Sequence, residues 1–569
     1  MDLTVTEVDG IPALLAPSEG PLHAGLTFRV GRADEPLTRA GITHLVEHLA
    51  LHRLGLTDYH FNGSTGTVGT HFHMSGDRTA VAGFLTGVCD ALADLPFDRL
   101  ETEKSILRTE GAGRGTVATD RLAAVRYGAT GFGLPSFDEW GIHQLSAEDL
   151  RRWVGTWFTA ANAVLWIVGG EVPAGLRLRL PPGERHALPD ATPVLTTLPA
   201  YLSGPGAGVV FEAVVERRPA ASLYSAVLKR ELFRSLRQEG GYSYTAATAF
   251  DPIGPRAVLT AVADAHPDQQ DAVLGGFVDC LMRHSVGTVE EEDLTAARAA
   301  AERALHHPDD LPALLMQRAL DLLTGRPLRP VEERLTRLRA VTREDLHGVA
   351  VAALESGLLL TPQGRTADWA GFAEVPSWTG APVDGVTLAV RDDPQLRLLV
   401  GRHGVSLVSP AGARTVRFDA CAAVLAWPDG ARHLVAADGT SVRIEPTLLS
   451  VPPGVLPRLD RAIPREALVR MPARDPSVIP RPRPVAPRAP VVSPPAPVAP
   501  VARTPRETAM VVLAVVFSIA ASIGLLGLMA VGLDEEATAG DWERLGLVWT
   551  VALATGLPIV IVQRRRRSG

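Results

Sequence analysis

The sequence predicts an α+β protein made of two α/β halves, followed by a small β-rich domain, a proline-rich linker and two apolar C-terminal segments. At 569 residues the chain is too long for one ordinary hydrophobic core, so several domains are expected. Helical and strand patterns alternate up to about residue 365, and a stretch rich in Pro, Gly and Thr at 183–206 divides them into two parts of ordinary domain size. The predicted segments are 1–195, 196–365, 366–471, 472–506 and 507–563.

The first half contains the stretch GITHLVEHLALHRLG, residues 41–55, which we place on a helix over 38–54. His44 and His48 are four residues apart, one turn along a single face, and two imidazoles at that spacing can share one zinc ion. Glu47 lies beside them and can act as a general base on a water molecule without being a ligand. His52 is two turns from His44, so we expect a surface or supporting role. The alternative is a helix that carries polar residues by chance.

A second helical stretch, ETEKSILRTE at 101–110, carries Glu103 and Glu110 seven residues apart on one face. With the inverted His-x-x-Glu-His order, this stretch resembles the pitrilysin/insulinase family of zinc peptidases, including the mitochondrial processing peptidase branch. The resemblance implies that Glu110 is the third zinc ligand and that Glu103 supports the site. The spacing from His48 to Glu110 is short for the family, which a trimmed loop before TGTVGTHFH explains. A solvated helix charge is the alternative for Glu110.

Two further features of the first half match the family more loosely. FNGSTG places Asn62 where the family holds the substrate backbone near an edge strand, although Gly63 occupies the usual alanine position and a plain turn is the alternative. His71 and His73 alternate on a predicted strand and are interpreted as strand residues, with lining of the cleft as the less favoured alternative. LSAEDLRRWVGTWFTAANAVLWIVGGEVP, residues 145–173, resembles the last helix, turn and strand of the family's first domain.

The second half contains LFRSLRQEGGYSYTA, residues 232–246, which matches the family's Leu-Arg-x-x-x-Gly-x-x-Tyr pattern. Arg237 and Tyr244 are seven residues apart, and the resemblance implies that both reach the substrate carbonyl. A guanidinium and a phenol can both donate hydrogen bonds to the oxyanion of a tetrahedral intermediate. The alternative is an Arg and a Tyr beside an ordinary Gly-Gly turn. The resemblance covers about residues 1–365.

The region from 366 to 471 is predicted to be β-rich, because seven short strand patterns separated by turn signals fill residues 385–446. A helical candidate follows at 453–470, and this combination resembles pleckstrin-homology-like small barrels. Residues 472–506 are dense in Pro and Ala, which favours extended polyproline II and predicts a spacer, with an SH3-type ligand as the alternative.

The C-terminal region predicts a transmembrane hairpin. Residues 508–533 and 545–562 contain no charged side chain, and each is long enough to cross a bilayer. The arginines of the tail QRRRRSG and those before the first segment favour cytoplasmic flanks, so the large N-terminal part is predicted to be cytoplasmic. Two buried core helices are the alternative.

Composition excludes several other classes of protein. The formal net charge of -7 gives no indication of a nucleic-acid partner. The three cysteines lie far apart, which excludes a disulfide framework and a cysteine zinc site and suits a reducing compartment. The N-terminus lacks the basic flank and apolar run of a signal peptide.

Taken with the resemblance, the sequence predicts a membrane-anchored zinc (Zn2+) endopeptidase that hydrolyses peptides or unfolded protein segments. The family closes two double-domain halves around its substrate, and this chain supplies one half of such a clamshell. We therefore predict a homodimer, with a heterodimer as the second choice. The rival is a non-catalytic membrane-anchored binding or scaffold protein on the same fold. A second rival assigns the main role, in envelope assembly, to the β-rich domain and spacer.

Overall fold

The computed structural model describes residues 3–52, 60–113, 118–206, 208–306, 310–378, 380–391 and 393–482. The linker from residue 483 onward and both predicted transmembrane segments lie outside the described residues. Within the described ranges, no single helix is long and apolar enough to cross a membrane. One pair of helices, Arg78–Ala93 and Phe97–Gly113, is long and apolar enough only when the two are taken together, and they are bent by 78° relative to each other.

The first half is built on a six-stranded sheet with the order β1-β2-β6-β3-β5-β4. Its strands are β1 (Thr4–Val8), β2 (Ile11–Ala16), β3 (Leu22–Phe28), β4 (Phe61–Thr65), β5 (Thr70–Gly76) and β6 (Ala163–Val168). Its helices are α1 (Ile42–His52), α2 (Arg78–Ala93), α3 (Leu100–Gly113), α4 (Ala118–Tyr127) and α5 (Ala147–Trp157). Every residue of β6, AVLWIV, is buried, because the sheet is covered on both faces.

The second half repeats this strand order with β7-β11-β8-β10-β9, and a short β12 is added at the β7 edge. The pairings β2 with β6 and β7 with β11 are both parallel, and the other corresponding pairs are antiparallel. The strands are β7 (Ala200–Gly204), β8 (Val209–Glu216), β9 (Ala246–Ile253), β10 (Arg256–Ala263), β11 (Leu358–Pro362) and β12 (Ala373–Glu374). The helices are α6 (Pro219–Leu232), α7 (Gln270–Ser285), α8 (Glu291–His306), α9 (Leu311–Leu323), α10 (Val331–Arg339) and α11 (Arg343–Glu355).

Helix α9 belongs to the second half in sequence but packs on the first sheet. Leu315, Ala319 and Leu323 are buried against a patch formed by alternate residues of β2 and β6, including Leu14 and Trp166. The remaining residues of those strands face α1 and α2 in the main core of the first half. The first sheet is therefore enclosed between helices from both halves.

The β-rich domain consists of two four-stranded sheets that share one core with a helix. The first contains β13 (Gly385–Val390), β14 (Asp393–Gly401), β15 (Gly404–Ser409) and β16 (Gly412–Arg417); the second contains β17 (Cys421–Ala426), β18 (Arg432–Ala436), β19 (Ser441–Ile444) and β20 (Leu468–Arg470). The helix predicted over 453–470 is shorter: α12 runs over Val455–Ala462 and β20 follows. Pro464 disfavours a helical residue before it, and Ile463 is accordingly extended at ψ 132°.

The β-rich domain packs directly on the first half. Leu425 and Val435 are buried in one cluster with Leu37 and Ala40, which immediately precede α1. The backbone N–H of Ala129 donates to the carbonyl of Ala437 at 2.9 Å. The segment that leads into α1 is therefore supported by a domain that lies more than 300 residues later in sequence.

Candidate metal centre

Helix α1 carries the His-x-x-Glu-His motif and is fixed by apolar packing. Ile42, Leu45 and Leu49 are fully buried on its core side, whereas His44 and His48 are half-buried on the other. The helix begins later than the predicted residue 38, because Gly41 has φ +94°, a conformation that interrupts helical geometry.

The start of α1 is capped by the buried carboxylate of Glu35. This carboxylate accepts hydrogen bonds from the backbone N–H groups of Gly41 at 2.8 Å and Thr43 at 2.9 Å. Burial raises the pKa of Glu35 to about 7, although the hydrogen bonds from Thr43 and Gly41 lower it in part. Capping of these unpaired N–H groups stabilises the turn that carries His44.

Three side chains converge at this end of α1. The carboxylate of Glu110 on α3 lies 3.9 Å from Nε2 of His44 and 3.8 Å from Nε2 of His48. One ligand atom from each of the three residues lies within 4.8 Å of the others. The ligands of a tetrahedral zinc ion are roughly 3.3 Å apart, so a small inward movement fits these residues to the ion.

The other nitrogen of each imidazole is held by a buried glutamate. Nδ1 of His48 lies 3.4 Å from Oε2 of Glu103, and Nδ1 of His44 lies 3.2 Å from both carboxylate oxygens of Glu139. A carboxylate at Nδ1 favours the tautomer that leaves Nε2 free to bind a metal, and it fixes the ring orientation. These two carboxylates make the donor set suitable for zinc.

Glu139 was not predicted from the sequence. It lies in an irregular segment just before a short 3-10 helix at Trp140–His143, where no periodic pattern marks a functional face. Its carboxylate is buried, and Nε of Arg32 lies 3.8 Å away. Only the folded chain brings Glu139 to His44, so no signal in the sequence indicated it.

Glu47 is adjacent to the ligand cluster but is not part of it. Its side chain is buried, and the hydroxyl of Thr65 donates to Oε2 at 2.7 Å. Burial raises the pKa of Glu47, while the hydrogen bond from Thr65 and the two nearby histidines lower it. A Cβ atom on Gly63 would lie 2.7 Å from Oε1 of Glu47, so glycine at this position leaves room for the carboxylate.

Asn62 is exposed on β4, an edge strand of the first sheet. It pairs in register with His73, whereas its neighbour Gly63 faces Glu47, so the Asn62 side chain lies on the opposite face of the sheet from α1. Its Oδ1 accepts from the N–H of Gly63 at 3.0 Å. The substrate-binding role of Asn62 stays a prediction.

His71 and His73 share the sheet face that α9 covers, not the face that carries α1. Nδ1 of His71 forms a 2.9 Å hydrogen bond with the Thr27 hydroxyl, and the ring of His73 lies 6.4 Å from that of Trp166. Burial lowers the pKa of His71 to about 4. The structure supports the interpretation as strand residues, which lie on the sheet face opposite the ligand cluster.

Arg237 and Tyr244 contact each other in the second half. Arg237 lies in a π-helical segment, Phe233–Glu239, and its guanidinium is 4.9 Å from the centre of the Tyr244 ring and 5.0 Å from that of Phe233. Tyr244 is 65% exposed, so its phenol is available to a ligand. Their substrate-binding role stays a prediction.

His52 lies near the supporting glutamate of the ligand cluster. Its Nδ1 is 4.0 Å from Oε1 of Glu103, whose other oxygen faces His48. It is not one of the three converging residues. This position agrees with a supporting role for His52.

Comparison with curated proteins gives distant relatives, whereas no family model matches the chain. The chain is 27% identical over 262 residues to the chloroplastic stromal processing peptidase of Oryza sativa subsp. indica, which covers 39% of this chain and 20% of that protein. The protein from subsp. japonica gives the same identity and coverage. The chain thus spans about a fifth of the length of the curated relatives it matches.

Comparison with solved structures identifies the fold. The peptidase M16 inactive domain from Pseudomonas fluorescens aligns with a TM-score of 0.54 at 14% identity, covering 64% of this chain and 99% of that one. The first half of a periplasmic protease from Escherichia coli aligns with a TM-score of 0.52 at 13% identity, covering 65% and 93%. The aligned 64–65% of the chain therefore has the mixed α+β fold seen in M16 peptidases.

Proposed function

We propose that the chain is a zinc-dependent endopeptidase that hydrolyses peptides or unfolded protein segments. The observation that supports this most directly is the convergence of His44, His48 and Glu110, with Glu47 adjacent to them but outside the ligand set. The fold is shared with M16 peptidases. Within that group we favour a place in the processing peptidase branch, because the curated relatives are stromal processing peptidases.

Each side chain has a distinct task in this proposal. A zinc ion held by His44, His48 and Glu110 would supply a Lewis acid and lower the pKa of water towards neutrality. Glu47 accepts the proton of the attacking water and later delivers it to the leaving amine. The Thr65 hydroxyl fixes the Glu47 carboxylate for this transfer at 2.7 Å.

The substrate is proposed to bind in an extended conformation along β4. This strand is at the sheet edge, so one side of its backbone can pair with an added strand. Unfolded segments satisfy this requirement, whereas a folded protein first has to release a strand. Asn62 is proposed to hold the substrate backbone, and Arg237 and Tyr244 to donate to its carbonyl oxygen.

We propose that Arg237 and Tyr244 act in an active site that two copies of the chain share in a homodimer. One chain provides both the ligand cluster and the Arg237–Tyr244 pair, so two-fold symmetry can supply each site from two copies. A heterodimer is the second choice. The mixing experiment in the Discussion tests this arrangement.

Membrane attachment is proposed through residues 508–533 and 545–562, which contain no charged side chain. The arginines of the C-terminal tail favour a cytoplasmic position for both ends. Protease treatment of intact cells should leave residues 1–470 uncut, and cleavage of that region from outside would contradict the proposal.

The decisive experiment on activity compares two conservative substitutions in the full chain. Glu47→Gln should keep zinc and lose hydrolysis of an unfolded peptide library, because Glu47 is a proton acceptor and not a ligand. Glu110→Gln should weaken zinc binding, because it removes a ligand charge. The assignment is wrong if Glu47→Gln abolishes zinc binding while Glu110→Gln leaves it unchanged.

The alternative is a membrane-anchored protein that binds peptides without cleaving them. One of the structural neighbours is described as an inactive domain, so the fold alone does not establish catalysis. The ligand and base residues are all present here, which favours the enzyme. Zinc-loaded wild-type protein that binds peptides without hydrolysing any would support the alternative.

A further inference from the structure

A basic pocket of about 650 Å³ lies between α9, α10, the end of β8 and the β9–β10 hairpin. Seven arginines line it, whereas Glu216 and Asp321 are its only acidic residues among those described. The chain as a whole carries a formal net charge of -7, so this concentration of arginine is local. The volume lies in the usual range for small-molecule sites.

The buried carboxylate of the pocket is already paired. Asp321 on α9 accepts from Nη2 of Arg217 at 3.1 Å and from Nη1 of Arg318 at 3.1 Å. Arg329 pairs with Glu333, which is outside the pocket lining. These contacts leave the pocket with an excess of positive charge.

Two arginines on α10 account for part of this excess. Arg334 is half-buried, and the guanidinium groups of Arg334 and Arg337 form no hydrogen bond or ion pair within the part of the chain that the structure describes. Burial, followed by the neighbouring Arg318, lowers the pKa of Arg334 to about 10. The guanidinium remains charged at neutral pH, and the nearby Asp321 carboxylate is already paired with Arg217 and Arg318.

The lining of the pocket also includes apolar side chains. Phe250, Leu305 and Leu338 contribute to it, together with alanine and proline residues. A ligand that fills the pocket therefore needs one strongly anionic part and one apolar part. Inorganic phosphate alone would leave the apolar side chains without a contact.

We propose that this pocket binds an organic polyphosphate, with its phosphates at Arg334 and Arg337 and its apolar part against Phe250 and Leu338. Guanidinium groups match phosphate oxygens in paired hydrogen bonds, and several such groups favour a ligand with more than one phosphate. Arg318 lies on α9, which covers the sheet face opposite α1, so the pocket is separate from the candidate metal centre.

The test is calorimetric titration of the full chain in detergent with ATP as a model organic triphosphate. EDTA is present so that no metal ion bridges the anion to the protein. Arg334→Gln should weaken binding about tenfold, because it removes a charge-assisted hydrogen bond. Arg339→Gln is the matched control: it lies on the same helix but pairs with Glu302 outside the pocket, and affinity should be unchanged.

Three outcomes would overturn the proposal: no heat of binding at millimolar ATP, equal losses for Arg334→Gln and Arg339→Gln, or binding of dihexanoyl phosphatidylglycerol instead of ATP. The last outcome would assign the pocket to a lipid headgroup. Glu47→Gln should bind ATP as wild type does, so the result is independent of the proposed peptidase activity.

Discussion

Replacing Glu139 by alanine tests whether His44 depends on the carboxylate behind it. Both carboxylate oxygens lie 3.2 Å from Nδ1 of His44, and the side chain is only 7% exposed. Loss of such a partner typically lowers metal affinity 10- to 100-fold, about 1.4 to 2.8 kcal/mol. We expect Glu139→Ala to reach this range. Glu139→Gln should lose less, because its amide oxygen still accepts from Nδ1.

The measurement is a zinc competition titration against a chromophoric chelator, with the full chain in detergent. Glu148→Ala is the matched control, because that glutamate is exposed on the first turn of α5. Glu103→Ala provides a comparison at the other histidine, where the distance to Nδ1 is 3.4 Å and the carboxylate is shared with Arg99. Replacing Glu103 or Glu139 should lower the zinc affinity, whereas replacing the exposed Glu148 should leave it unchanged.

A zinc affinity within twofold of wild type for Glu139→Ala, with a clear loss for Glu103→Ala, would refute the reasoning. His44 would then be oriented by its packing on α1 alone. A loss of affinity accompanied by a lower melting temperature would indicate general destabilisation. Circular dichroism of each variant separates these two cases.

Three further predictions concern stability and assembly. Burial raises the pKa of Glu35 to about 7, so the folded state keeps a proton that the unfolded chain releases near pH 4.5. The free energy of unfolding therefore falls as the pH rises between these two values, by about 3 kcal/mol for wild type relative to Glu35→Gln. The melting temperature of wild type should accordingly be lower at pH 8 than at pH 5. A pH-independent difference between the two proteins would contradict this. Leu425→Ala should destabilise the protein by about 2 to 5 kcal/mol and weaken zinc binding, because Leu425 packs against the segment before α1. Val386 is exposed on β13, so Val386→Ala should change neither stability nor zinc binding. Equal effects of Leu425→Ala and Val386→Ala on stability and zinc affinity would show that Leu425 does not support the segment before α1. Mixing Glu47→Gln chains with Arg237→Ala chains, each inactive alone, should restore hydrolysis if a dimer shares its sites; no recovery, with an active monomeric wild type, would exclude the shared site.

The fold was predictable where sequence patterns are local. The helix of the His-x-x-Glu-His motif, the helix and strand within 145–173 and the strands over 385–446 follow from periodicity and turn residues, and they occur at those positions. The position of α9 was not predictable, because its apolar face gives no information about which sheet it covers. The region 453–470 was predicted as one helix, but Pro464 ends that helix and β20 pairs with β17.

The candidate site was predictable to the extent that helical spacing and family resemblance determine it. His44, His48 and Glu110 come together as the sequence indicated, and Glu103 lies behind His48. Glu139 could not be found, because an irregular segment gives side chains no regular direction. The assignments of zinc, membrane attachment and dimer formation remain predictions.

The packing of α9 on the first sheet has a consequence for synthesis of the chain. The patch that includes Leu14 and Trp166 is complete once β6 has been made, yet its cover begins at Leu311. At ribosomal rates of 5–20 residues per second, roughly 7 to 30 s pass before α9 emerges. During that interval the nascent first half exposes an apolar sheet face to solvent, which makes it a candidate client of ribosome-associated chaperones.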